Sequence, residues 1–425
     1  MSEDFLYFLW QFQYFDAAQL TTTTGEPLQV LAVGQRNTHA GPDFINGRLL
    51  VGAIEWAGSI EMHLRSSDWF RHAHHTDRAY ESVVLHVVWE NDSDIGRDDG
   101  TVVPTLALKD ITSPQLLHKY HLLTGSKEVI PCENQFDAVH DLQKRMMLDR
   151  AATQRLQRKA EVVHALLSKN QQDWEETAYQ LLAQNFGFKI NAEPMLRLAQ
   201  GLPLKVLRKH TDNLFQLEAL LFGQSGLLTD STDEYTVALS KEYDFLAAKY
   251  GLKPTQLQAR EWKFLRLRPA NFPTIRLAQW AVLIQHQSSF FSLFINEKDI
   301  KILKKHLRVQ QSVYWQAHYH FQKTTDVKVP SLGKTSAENI IVNTVVPLLA
   351  AYAEAKNNWG FMENAIELLE QLPAETNHLT EKWHQLGITA KTAFESQACI
   401  ELYTYFCLKK GCLNCSIGTS LLKSR

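Results

Sequence analysis

The chain is poor in cysteine, lacks a long apolar run and has no excess of either charge. Five cysteines in 425 residues speak against a disulfide-framed secreted scaffold. The best apolar stretch, Ile340 to Ala353, is interrupted by Asn343, Thr344 and Pro347 and is too short to span a bilayer. The opening MSEDFLYFLWQF carries Glu3 and Asp4 where a secretory signal needs basic residues. Lys plus Arg total 44 against 46 Asp plus Glu, and a formal net charge of −2 excludes a histone-like polycation. No Gly-rich phosphate loop, GxSxG elbow or HExxH is present, which argues against a P-loop ATPase, an α/β-hydrolase and a zincin. The expectation is a soluble, cytoplasmic protein of two or three domains with no membrane partner.

Two patterns follow one another along the chain. Residues 1–130 read as α/β. A short helix carries the stripe Phe5, Phe8, Leu9, Phe12, and strand-like runs lie at 28–34, 43–51, 59–64, 82–90 and 102–108. Residues 131–425 read as helical to the end, punctuated by Pro and Gly turns and closing in a cysteine motif at 399–415. Charge divides at the same place. The first region holds 9 basic and 17 acidic residues, the second 35 and 29, and eight of the 17 histidines lie in the first. That split suits a metal site beside an anion-binding surface, or simple compositional drift between two domains.

The chemistry concentrates between residues 41 and 77. Asp43 follows Pro42 and opens one strand; Glu61 lies in the next, with His63 two positions on and therefore on the same face. Two carboxylates at a strand edge suit Mg²⁺ or Mn²⁺, the usual apparatus for phosphodiester hydrolysis. Asp68, His72 and His74 follow closely and would serve as supporting or phosphate-binding groups. His75 reads as a loop residue and His86 as a core histidine.

The order of helix, strand, strand opening on Pro-Asp, and strand carrying Glu-x-His resembles the PD-(D/E)XK nuclease core over roughly residues 3–92. That resemblance implies a restriction-endonuclease-like mixed sheet, with Asp43 and Glu61 as metal ligands and His63 in the place of the family's lysine. A histidine there is only partly cationic near neutral pH, which puts retention of cleavage in question. The segments AGPDF, WAGSIEMH, SDWFRHAHH, VLHVVW, RLRPANFPTIRLAQWA and the terminal C-x4-C-x2-C also resemble, over nearly the full length, an uncharacterised bacterial family known only as a domain of unknown function.

Cys399, Cys407, Cys412 and Cys415 fall close together, a spacing compatible with an iron–sulfur cluster or Zn²⁺, with Cys132 as the alternative fourth ligand. Lys144, Arg145, Arg155, Arg158 and Lys159 form a basic run that would contact nucleic acid, and Trp262, Phe264, Trp315, Tyr319 and Phe321 would offer stacking surfaces. Together these features predict a metal-dependent nuclease. The alternatives are a non-catalytic nucleic-acid- or protein-binding module on the same fold, and a metallohydrolase of smaller substrates that ligates its ion through His72 or His74.

Overall fold

A computed structural model describes residues 1–97, 99–228 and 233–423. The chain forms two compact units, one of residues 1–147 with 402–425 and one of residues 148–401. Sequence patterning set its boundary at residue 130, where helical periodicity takes over. Periodicity marks where helices begin, whereas packing decides which core they join. By packing, four of the five cysteines, Cys132, Cys407, Cys412 and Cys415, belong with the α/β unit.

In the first unit α1 (Glu3–Phe12) buries Phe5, Leu6, Phe8, Leu9 and Trp10, and Glu3 and Asp4 sit in its first turn, where the helix dipole favours acidic groups. Strands β1 (Leu28–Ala32), β2 (Gln35–Arg36), β3 (Phe44–Val51), β4 (Ile54–Arg65), β5 (Val83–Glu90) and β6 (Thr105–Ala107) follow. The sheet order is β1-β3-β4-β5-β6, with β2 pairing on β3. β3 and β4 are antiparallel, while β4–β5 and β5–β6 are parallel. The β3–β4 turn places Gly52 at φ 61°, a left-handed conformation that glycine adopts without strain. α2 (Asp68–Arg71) lies in the crossover from β4 to β5. α3 (Pro114–Gly125) and the start of α4 (Asp141–Lys169) complete the N-terminal part.

Two strands explain where the polar site lies. β5 is buried without a break from Val83 to Val88, the continuous pattern of a parallel strand covered on both faces. β4 changes character midway: Ile54 to Ala57 are exposed, Ser59 to His63 are buried. A Cβ on Gly58 would stand 2.5 Å from the Ser82 carbonyl oxygen and from Val84 Cγ1, so the close approach of β4 to β5 needs a glycine there. Beyond that point β4 carries Glu61 and His63 into the interior. Burying such groups is costly unless they find partners.

The second unit is almost wholly helical apart from the short hairpin β7 (His318–His320) and β8 (Lys323–Thr324). The apolar stretch at 340–353 is core: it runs through a wide π turn (Ile341–Val345) into the helix Val346–Lys356, with Pro347 in the first turn, where no N–H is needed. Among the described residues no helix is long and apolar enough to cross a membrane. Trp262, Trp315 and Phe321 are buried, and the Trp262 indole N–H donates to the Ser225 carbonyl at 2.8 Å. They are core aromatics rather than exposed stacking surfaces.

Candidate functional site

Phe44 pairs with Ile60 across β3 and β4, which brings Asp43 level with Glu61 and Met62. The two carboxylates are cross-linked through the backbone. The Asp43 N–H donates to Glu61 Oε2 at 3.1 Å, and the Met62 N–H donates to Asp43 Oδ2 at 3.0 Å. The Tyr7 hydroxyl, from α1, donates to the Asp43 side chain. Burial pushes the Asp43 carboxyl up to about 6, against the Tyr7 and Met62 hydrogen bonds that favour its charged form. Burial, then the neighbouring charge of Asp43, pushes Glu61 up to about 9. Both carboxyls therefore hold a proton more tightly than free ones, and the Arg36 charge acts on Asp43 in the opposite sense.

Histidines crowd the other carboxylate edge. His63 Nε2 lies 3.6 Å from Glu61 Oε1, and His74 Nε2 lies 3.3 Å from the same oxygen. His63 Nε2 is also 3.0 Å from His72 Nδ1. Ligand bonds of about 2.0–2.1 Å at tetrahedral angles set ligand atoms about 3.3–3.4 Å apart. His63 Nε2 thus stands at ligand-like spacing from both Glu61 Oε1 and His72 Nδ1, and Glu61 Oε1 at such spacing from His74 Nε2 as well. Among the described residues, His63, His72 and His74 form the group whose ligand atoms all lie within 4.8 Å of one another.

The surroundings keep the His63 and His74 imidazoles neutral, the state in which histidine ligates. Burial, reinforced by the neighbouring histidines, pushes His63 down to about 2 and His74 to about 4. His63 Nδ1 lies 2.8 Å from His86 Nε2, on β5, an outer contact of the kind that fixes the tautomer of a ligand. His86 is fully buried and pushed down to about 3, again first by burial. His74 stacks on the Tyr80 ring at 3.7 Å. Neither His74 nitrogen has a hydrogen-bond partner, although Nε2 stands near Glu61, so that contact lacks hydrogen-bond geometry. A buried polar atom left this way calls for an explanation, and an ion between the two groups is one.

The remaining sequence candidates are distributed otherwise. Asp68 accepts the Arg65 N–H at 3.2 Å and pairs with Arg71 at 3.0 Å, local bonds at the start of α2. His75 packs edge-on against Phe70 and stays out of the cluster. Lys144 pairs with Asp141 at 3.2 Å and covers the Phe136 ring, whereas Arg145 is exposed. Arg155 and Arg158 both reach the buried Glu401, at 3.4 Å and 2.7 Å, and burial pushes the adjacent Lys159 down to about 8. In the structure Arg155 and Arg158 thus have an internal carboxylate as partner.

Cys399 lies in the second unit, where its carbonyl accepts the Trp383 indole N–H at 3.0 Å. Burial and Glu395 raise its thiol to about 12, with no other cysteine contributing. Cys132, by contrast, is in the same unit as Cys407, Cys412 and Cys415 and feels the charges of Cys415 and Cys412.

Sequence reasoning did not place Tyr7, Tyr80 or His86 at the site. A histidine inside the apolar run VVLHVVW, between the pairs Val83–Val84 and Val87–Val88, was the available signal for His86. Nothing in the local sequence points to the two tyrosines.

No curated protein and no solved structure matches the chain. Over residues 3–378 the sequence matches the family described as "Protein of unknown function (DUF2851)", and the chain belongs to that family.

Proposed function

We propose that the protein is a metal-dependent hydrolase of phosphodiester bonds, a nuclease-like enzyme whose ion is held by His63, His72 and His74 with the Glu61 carboxylate beside them. One observation carries the reading: three histidine ligand atoms within 4.8 Å of one another, with Glu61 Oε1 3.6 Å and 3.3 Å from two of them and a second carboxylate bonded alongside. The imidazole-rich set favours a borderline ion such as Zn²⁺ over Mg²⁺, which prefers oxygen ligands; Mn²⁺ accepts the carboxylates. An ion there would lower the pKa of a bound water toward neutrality and offset charge on a phosphoryl oxygen. Asp43, anchored by Tyr7, fixes the Glu61 orientation through the reciprocal backbone bonds and adds a carboxylate beside the ion.

The arrangement of helix, antiparallel strand pair and parallel third strand supports the restriction-endonuclease-like assignment, with Asp43 and Glu61 in the positions the nuclease core uses. Cations at the site's margin support an anionic substrate. The Arg71 side chain is 69% exposed and its charge reaches His63, while that of Arg36 reaches Asp43. The exposed Arg145 adds a further phosphate contact in the same unit.

The test is cleavage of labelled DNA and RNA, single- and double-stranded, with Zn²⁺, Mn²⁺ or Mg²⁺ supplied in turn. Cutting that falls to background in Glu61→Ala and His74→Ala, with folding retained by circular dichroism, is the expected result. Cutting unchanged in Glu61→Ala removes the assignment. A second reading is favoured by burial: His63 and Glu61 are almost wholly enclosed, which suits an ion that only holds the fold together. Stoichiometric ion with no cleavage of any polymer would select that non-catalytic reading.

A further inference from the structure

The first unit also gathers four cysteines. Cys132, Cys407, Cys412 and Cys415 are each buried, and none is in a disulfide. Cys132 immediately precedes the 3-10 turn Glu133–Ala138, and Cys415 immediately precedes the terminal helix Ser416–Lys423. That helix packs on that turn, which brings the two cysteines' segments together. Cys407 ends the π turn Tyr403–Cys407, and such wide turns concentrate at functional sites. The chain then folds back tightly. The Lys410 N–H donates to the Cys407 carbonyl at 3.0 Å, with Lys410 in the left-handed region at φ 53°, and Cys412 opens the next turn. A Cβ on Gly418 would stand 2.3 Å from the Cys412 carbonyl oxygen, so glycine is what lets the terminal helix lie over Cys412.

We infer that Cys132, Cys407, Cys412 and Cys415 bind an iron–sulfur cluster that fastens the returning C-terminal segment to the α/β unit. All four thiols are buried in one unit, and the terminal helix that follows Cys415 lies against both the Glu133–Ala138 turn behind Cys132 and the backbone of Cys412.

Spacing chooses the kind of group. One tetrahedral ion with Zn–S bonds of about 2.3 Å sets its sulfurs about 3.8 Å apart. Three such sulfurs would fall within 4.8 Å of one another, yet among the described residues only the histidine group meets that condition. A cluster takes each thiolate on a separate iron or corner and accommodates the wider spread. The fastening role follows from chain order. Cys132 and the trio flank the entire second unit in sequence, so the cluster would close a very long loop. The segment already docks through Ile417, Leu421 and Leu422 and through Ser416 and Ser420 to Gln143.

The experiment is composition of the full-length protein purified anaerobically, with iron, zinc and acid-labile sulfide measured per chain alongside the visible spectrum. The expected result is iron and sulfide in equal amounts with a broad charge-transfer band. Cys399→Ser should keep both, whereas Cys132→Ser and Cys412→Ser should lower iron by at least about tenfold. Zinc without sulfide, or no metal in anaerobically purified wild type, overturns the inference; so does full iron in Cys132→Ser with loss in Cys399→Ser. Wild-type and Cys399→Ser contents decide the matter even where a ligand variant fails to fold. None of these readouts depends on cleavage at Glu61.

Discussion

Glu61 and Glu401 are both buried carboxylates, with side chains 7% and 3% exposed, and they differ in what faces them. Glu401 meets two guanidinium groups, with Arg158 donating through Nε at 3.0 Å and a terminal nitrogen at 2.7 Å. Those cations are permanent, so the carboxylate is neutralised by the fold itself. Glu61 meets only a backbone N–H and imidazoles that burial holds uncharged. A carboxylate with built-in cations is architecture; one surrounded by neutral imidazoles must hold a proton or, on the proposed function, an added cation. Glu218 is intermediate: it is buried in the second unit and accepts hydroxyl hydrogens from Tyr235 and Ser312, both at 2.7 Å.

The largest expected effect breaks the architectural case. Glu401→Ala leaves Arg155 and Arg158 half-buried without their carboxylate and should lower stability by about 3–5 kcal/mol in urea denaturation. A loss under about 1 kcal/mol would mean the network is solvated. Next is the ligand case. Zn²⁺ at a thousandfold excess over its Kd should stabilise the wild type by about 4 kcal/mol, read as a rise in melting temperature. Glu61→Gln and His74→Ala should abolish most of that rise. An undiminished rise in both variants would separate the ion from this cluster.

Glu218 sharpens the comparison through pH. Burial lifts its folded-state value to about 7, above the ordinary 4.5, despite the two hydroxyl donors. The folded protein therefore holds this proton more tightly than the unfolded chain. Its contribution is fully present below pH 4.5, is lost as pH rises toward about 7, and is constant above, up to about 3 kcal/mol in all. Glu218→Gln should flatten that part of the stability profile; an unchanged slope between pH 4.5 and 7 would assign it elsewhere. The smallest effect is Glu61→Gln without metal. The amide oxygen still accepts the Asp43 N–H, so stability should change by less than about 1 kcal/mol, in contrast to Glu401→Ala.

Much of the α/β unit was legible because strands declare themselves locally. Alternation and turn residues placed β3, β4 and β5 to within a few residues and set Glu61 and His63 on one face. The run from Asp68 to Asp77 marked His72 and His74, although the approach of His74 to Glu61 and of His72 to His63 was not readable. Cysteine spacing identified Cys407, Cys412 and Cys415 but could not choose between Cys399, near in sequence, and Cys132, far from it. The basic run on α4 read as a phosphate-binding face because the partner of Arg155 and Arg158 lies at Glu401, far along the chain.

The sequence by itself determined the order of helices and strands, the change from α/β to helical character, and which residue types could carry chemistry. Those follow from backbone periodicity and turn chemistry, which act over a few residues. Tertiary structure decided the rest: that His86 on β5 backs His63 on β4, that Tyr7 on α1 anchors Asp43, and that Cys132 lies in the same unit as the terminal trio. Burial then set the protonation of Glu61, His63, His74 and His86, because desolvation depends on everything packed around a group and not on its neighbours in sequence.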